Sequence, residues 1–120
     1  MTHSLTHLNA RSLIGKFDLF TAWVLNYSPD VIGVTETWAN TDILDSELAL
    51  AGYDMFRQDE PVNRAGGGVL LYVKNFLQAT VYEPSVSFPE QIWCNISSSS
   101  ADTILIGVCY RTPNSDMVHL

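Results

Sequence analysis

The chain is poor in positive charge. Arg11, Lys16, Arg57, Arg64, Lys74 and Arg111 are its whole basic complement, against 13 acidic residues, for a formal net charge of −7. Nucleic-acid binding rests largely on neutralising phosphates, so this balance argues against a free-standing basic nucleic-acid-binding module. It leaves room for an acidic, metal-dependent nuclease, because a divalent cation needs carboxylates and itself brings positive charge to a phosphate. No apolar run approaches the roughly 20 residues that a membrane span requires, so no membrane association is expected. Met1 to His7 lack a basic cluster followed by an apolar core, so no signal peptide is read there. Only two cysteines occur, Cys94 and Cys109, both in apolar, strand-like sequence, and buried free thiols are the expectation. If the serine run from Ser97 to Ser100 closes a hairpin, Cys94 faces a residue near Leu105, which places a disulfide to Cys109 poorly. Internal repeats and interdomain linkers are also lacking.

What is present is a core. Hydrophobic residues make up 47% of the 120 residues and charged residues 16%, a composition that excludes disorder and suits one small domain. His3 to Leu8 reads as a short strand. Leu13, Phe17, Phe20 and Val24 then recur at helical spacing, with Ser12 as the expected N-cap and Asn26 to Pro29 as the stop. Asp30 to Thr35 is too apolar to be half-exposed and reads as a buried strand. Strand, helix and buried strand make a βαβ start. Ile43, Leu44, Leu48 and Leu50 support a short helix. From there the period drops to two: Tyr53–Arg57, Gly68–Val73, Ala79–Glu83, Gln91–Ile96 and Ile104–Tyr110 read as strands of a largely antiparallel sheet.

Four places carry candidate chemistry. The apolar run Val31-Ile32-Gly33-Val34-Thr35 ends in Glu36, a carboxylate at the carboxyl end of a strand, where open α/β sheets place their sites. Taken alone it would be an ordinary strand terminus. Leu8-Asn9-Ala10-Arg11-Ser12-Leu13 likewise turns from strand to polar residue at Asn9. Arg64-Ala65-Gly66-Gly67-Gly68-Val69 has neither dinucleotide-binding nor P-loop spacing and reads as a turn entering a strand. Tyr110-Arg111-Thr112-Pro113-Asn114 gathers a hydroxyl, a guanidinium and an amide, all able to donate to phosphate oxygens. Trp23, Trp38 and Trp93 are dispersed rather than interleaved with basic residues and read as packing residues. His3, His7 and His119 have no ligand spacing.

In that order these four segments resemble the first half of the endonuclease/exonuclease/phosphatase domain, most closely the endonuclease of jockey-like, non-long-terminal-repeat (LINE-type) retrotransposons. The resemblance runs from about Leu8 to Asn114. It implies an α/β fold, the N-terminal half of a four-layer, deoxyribonuclease-I-like sandwich with a βαβ start followed by largely antiparallel strands. It implies Glu36 as metal ligand and Asn9 as support at the metal or a phosphate. Asn9, Glu36 and Tyr110 would be catalytic, and Arg111 and Asn114 would bind phosphate. The cofactor would be Mg2+, with Mn2+ as a substitute, and the partner of an intact member would be DNA. The Tyr-to-Asn spacing here is one residue longer than in several relatives.

The later family motifs, a Gly-Asp-x-Asn segment and a terminal Ser-Asp-His segment, do not occur in these residues. Residues 1–120 are therefore expected to be a partial domain, inactive alone, with the inner face of its sheet uncovered and open to the missing half or to self-association. The rival expectation is a non-enzymatic truncated product or interaction module. A phosphatase of the same superfamily ranks third. An intracellular location is expected, nuclear if the protein is functional.

Overall fold

A computed structural model describes residues 4–59, 67–85, 90–97 and 102–110. Along the chain these form β1 (Leu5–Asn9), α1 (Phe17–Tyr27), β2 (Val31–Thr35), α2 (Asp45–Leu48), β3 (Tyr53–Gln58), β4 (Val69–Lys74), β5 (Thr80–Tyr82), β6 (Gln91–Ser97) and β7 (Thr103–Cys109). They build two sheets, not one. The first has the order β1-β2-β4-β3, with β1 and β2 parallel and the other pairs antiparallel; the second is β5-β6-β7, all antiparallel. The expected single antiparallel run thus divides. β3 and β4 return to the sheet begun by β1 and β2, because Val69 to Val73 are apolar on both faces and need a central place with both faces covered.

The pleat of β2 and β4 separates two cores. Ile32, Val34, Leu70 and Tyr72 face α1, where Leu13, Phe20 and Val24 bury the helical stripe that the sequence spacing indicates. The Phe20 and Tyr72 rings lie 5.6 Å apart, and Tyr72 Oη donates to the Leu48 carbonyl at 2.8 Å. Burial pushes the Tyr72 hydroxyl well above its ordinary pKa. On the other face Val31, Val69, Leu71 and Val73 meet Ile92, Cys94, Ile96 and Val108 from the second sheet. That contact corrects the expectation of an uncovered inner face: β6 and β7 fold back over it within the same chain. β7 approaches β2 so closely that a Cβ on Gly33 would sit 3.2 Å from Val108 Cγ2.

What stays open is a flank. β1 and β7 are outer strands of their sheets. Between them runs a cleft of about 420 Å³ lined by Leu5, His7, Gly33, Ile106, Gly107 and Cys109, among others. Ile104 and Leu105 on β7 are exposed.

The start of α1 also differs from expectation. Ser12 is not its N-cap. Ser12 sits in the left-handed region at φ 80° and donates its N–H to the Glu36 carbonyl, so a short 3-10 turn at Ile14–Lys16 must reset the backbone before the helix begins. The C-terminal stop falls where the sequence sets it. Ser28 adopts the left-handed cap, its N–H closing on Val24 O at 2.7 Å, and Pro29 follows. Cys94 and Cys109 are both free thiols, the first buried and the second exposed; Cys94 pairs with Ile106 across the hairpin, one residue from the expected Leu105.

Candidate active site

The parallel register of β1 and β2 pairs Asn9 with Thr35, so Asn9 and Glu36 leave adjacent strands at the same carboxyl end. This is the end at which open α/β sheets bind ligands. The loops beyond are joined by backbone hydrogen bonds: Ala10 N–H to Thr35 O at 2.8 Å, Ser12 N–H to Glu36 O at 2.9 Å and Leu13 N–H to Thr37 O at 3.0 Å. Lys16 Nζ donates to the carbonyls of Ala10 and Arg11 at 2.7 and 3.1 Å, which ties down the loop after Asn9.

The backbone at this end is strained. Arg11, Ser12, Glu36, Trp38, Gly67 and Gly68 all have positive φ, six of the nine such residues described. For residues other than glycine, each such conformation costs on the order of 1–3 kcal/mol and persists only where the surroundings over-determine it, a pattern that clusters at functional sites. Here the third segment supplies part of that constraint. Thr37 N–H donates to Gly68 O at 3.2 Å and Trp38 N–H to Gly67 O at 2.9 Å. Gly68 has φ 90°, and a Cβ there would collide with Thr37 Oγ1, so this turn admits no larger residue without movement.

Tyr110 joins the same end through one intermediary. Its N–H donates to Glu90 O at 2.9 Å, and the Glu90 carboxylate accepts from Gly68 N–H. Asn9, Glu36, Gly67, Gly68 and Tyr110 are thereby tied into one hydrogen-bonded rim. Asn9 is exposed, Glu36 half-buried and Tyr110 half-buried against the inter-sheet core. Arg111 and Asn114 lie outside the described residues, as do Gly66, His3 and His119.

Three residues here escape the sequence reading. Glu90 is buried, and its only local signature is an acid before an alternating run; its partner is 22 residues away. Lys16 looks like an ordinary helix-start residue. Trp38, read as a packing residue, is 44% exposed beside Glu36 and strained at φ 58°; the left-handed turn swings it out of the core. Trp23 does pack, at 6.3 Å from Phe20.

A model of the endonuclease/exonuclease/phosphatase family matches residues 7–117. No curated protein matches the chain. Among solved structures, AP endonuclease LMAP from Leishmania major superposes with a TM-score of 0.70 at 20% identity, covering 90% of this chain and 40% of its own. An AP endonuclease from Archaeoglobus fulgidus gives 0.61 at 16% identity, with 79% and 37% covered. The 3′ phosphatase NExo from Neisseria, solved with a product DNA hairpin, gives 0.58 at 13% identity, with 87% and 40% covered. At these identities the likeness is one of fold. It matches the mixed α/β arrangement with a portion of the deoxyribonuclease-I-like fold, and this chain spans about two fifths of the length of those structures.

Proposed function

The chain belongs to the endonuclease/exonuclease/phosphatase family, and we propose that it is the first part of a magnesium-dependent DNA endonuclease of the jockey-like retrotransposon kind. The observation that supports this most is the parallel β1–β2 register, which brings the carboxyl ends of the two strands, where Asn9 ends one and Glu36 follows the other, to one edge of strained backbone. Among the described residues no three His, Cys, Asp or Glu side chains gather to hold a metal ion. A cation held by Glu36 with the help of Asn9 would therefore take its remaining ligands from water and substrate phosphate. That donor set suits Mg2+, which keeps several waters and binds through one or two carboxylates, and Mn2+ would substitute. The bound ion would supply positive charge to the scissile phosphate. Tyr110, Arg111 and Asn114 would donate to the phosphate oxygens. Nuclear DNA would be the substrate.

Residues 1–120 would form a partial domain. A second part carrying Gly-Asp-x-Asn and Ser-Asp-His would seat on the open β1/β7 flank and orient the attacking water. Loss of a catalytic base or its partner typically costs orders of magnitude in rate, so these 120 residues alone are expected to be inactive. No helix among the described residues is long and apolar enough to cross a membrane.

Nicking of supercoiled plasmid in Mg2+ tests this. The chain alone should not nick, the chain with a complementary second half should, and Glu36→Ala should lose at least ~100-fold of that rate. Cleavage by the chain alone that Glu36→Ala abolishes would refute the partial-domain reading. An inert reconstituted pair that instead releases phosphate from 3′-phosphorylated DNA would favour a phosphatase. Reverse-transcriptase coding sequence in the flanking DNA would support the retrotransposon origin. A second, non-enzymatic reading as an interaction module is favoured by one observation, the exposed apolar Ile104 and Leu105 on β7.

A further inference from the structure

Among the described residues, three polar side chains are buried: Thr35, Thr37 and Glu90. Glu90 is the only carboxylate among them, and it is 4% exposed. Burying a carboxylate is costly unless strong hydrogen bonds repay it, so the groups that bond it are held firmly in place. Two of its bonds are defined. The carboxylate accepts the Gly68 N–H, and the Glu90 carbonyl accepts the Tyr110 N–H at 2.9 Å. Gly68 and Gly67 are both left-handed, and their carbonyls hold the N–H groups of Thr37 and Trp38. Those two amides belong to the segment in which Glu36 and Trp38 are themselves left-handed, at φ 54° and 58°.

We propose that Glu90 is a positioning residue. Its carboxylate fixes the Gly67–Gly68 turn, the turn fixes the strained Glu36–Trp38 segment, and the Glu90 backbone ties Tyr110 to the same turn. A carboxylate suits this task because it accepts from a backbone N–H more strongly than a neutral oxygen does. It is also fixed at the entry to β6, whose pairing with β7 places Cys109 opposite Gln91 and so brings Tyr110 alongside. Glu90 thus couples the Glu36 end of the first sheet to the Tyr110 end of the second. What is positioned, a metal-holding Glu36, rests on the function proposed above; the clamp itself does not.

Amide hydrogen exchange on the full chain tests the clamp. Glu90→Asp keeps the charge but draws the acceptor back by one methylene. It should speed exchange at Thr37, Trp38 and Gly68 by about tenfold, the cost of one lost charge-assisted bond, and leave Ile32 and Leu71 unchanged. Glu90→Gln, which retains an acceptor oxygen, should stay within about threefold of the parent at the same amides. Glu90→Ala should exceed Glu90→Asp; if it fails to fold, the Asp and Gln pair decides. Uniform acceleration at every amide in Glu90→Asp, or none at Thr37 and Trp38, would overturn the proposal. Manganese titration followed by paramagnetic broadening separates the two readings. A parent chain that takes up no Mn2+ would refute Glu36 as a metal ligand and leave the exchange pattern to judge Glu90. Uptake that Glu36→Ala abolishes and Glu90→Asp weakens about tenfold would support both.

Discussion

β4 and β7 look alike in sequence and fare oppositely in the fold. Val69-Leu70-Leu71-Tyr72-Val73 and Ile104-Leu105-Ile106-Gly107-Val108 are both runs of apolar, mostly β-branched or aliphatic residues. All five of the first are buried, whereas of the second only Val108 is. β4 lies between β2 and β3, with α1 on one face and the second sheet on the other. Among the described residues β7 is paired on one side only, with β6. The difference teaches that apolar content reports what a strand is able to bury. Its place in the strand order determines what it does bury. Part of the unspent apolar surface lies on these edges, at Leu5 of β1 and at Ile104 and Leu105 of β7, and more lies on α1, at Leu19, Leu25 and Tyr27.

The widest separation between the two strands should appear on truncation. Leu71→Ala should cost about 2–5 kcal/mol, since it opens a cavity between two sheets, while Leu105→Ala should stay within about 0.5 kcal/mol. Chemical denaturation of both variants measures this, and equal losses would mean that β7 is as well packed as β4.

Covering β7 should then narrow the contrast. A second half supplied in trans at about 100 times its Kd should stabilise the chain by about 2.7 kcal/mol, seen as a rise in Tm and as new exchange protection on β7 amides. Alone, the chain should self-associate through this edge. A monomeric chain with a sharp, high melt that the second half leaves unmoved would mean that the flank needs no cover.

The two cysteines repeat the comparison on a smaller scale. Burial pushes the Cys94 thiol up to about 11 from an ordinary 9.0. Its folded form therefore holds the proton more tightly than the unfolded chain does. Stability is intact below pH 9 and falls as pH rises from 9 towards 11, by up to about 1.4 kcal/mol per pH unit from this one group. Cys94→Ala should flatten that alkaline slope more than Cys109→Ala, whose thiol is exposed. Melts at pH 8, 9 and 10 provide the check, and equal slopes in both variants would show that the Cys94 environment is no drier than that of Cys109.

The site end divides along a similar line. That Asn9 ends one strand and Glu36 follows another was legible, because a strand-length apolar run stopping at a polar residue is a local pattern. The place of Tyr110 just after β7 was legible for the same reason. Glu90 and Lys16 were not, since each bonds to a backbone group, Glu90 to the Gly68 N–H 22 residues away and Lys16 to the Ala10 and Arg11 carbonyls, and no side-chain spacing encodes such a bond. Trp38 was misread because its composition says core, whereas its left-handed backbone, set by Gly67, turns the ring outward.

By itself the sequence determined the periodicities: the helical stripe of Leu13, Phe17, Phe20 and Val24, the two-sided burial of β2, the stop at Ser28-Pro29, and the strands from Tyr53 onward. These depend on side chains within a few residues of each other, so local spacing is enough. Only the tertiary structure decided that the strands divide into two sheets, that β6 and β7 close over the face of β2 and β4, and that Glu90 reaches Gly68. Each of those depends on which distant segments meet, and the free energy that selects among such meetings is shared over a whole interface rather than written in any one run of residues.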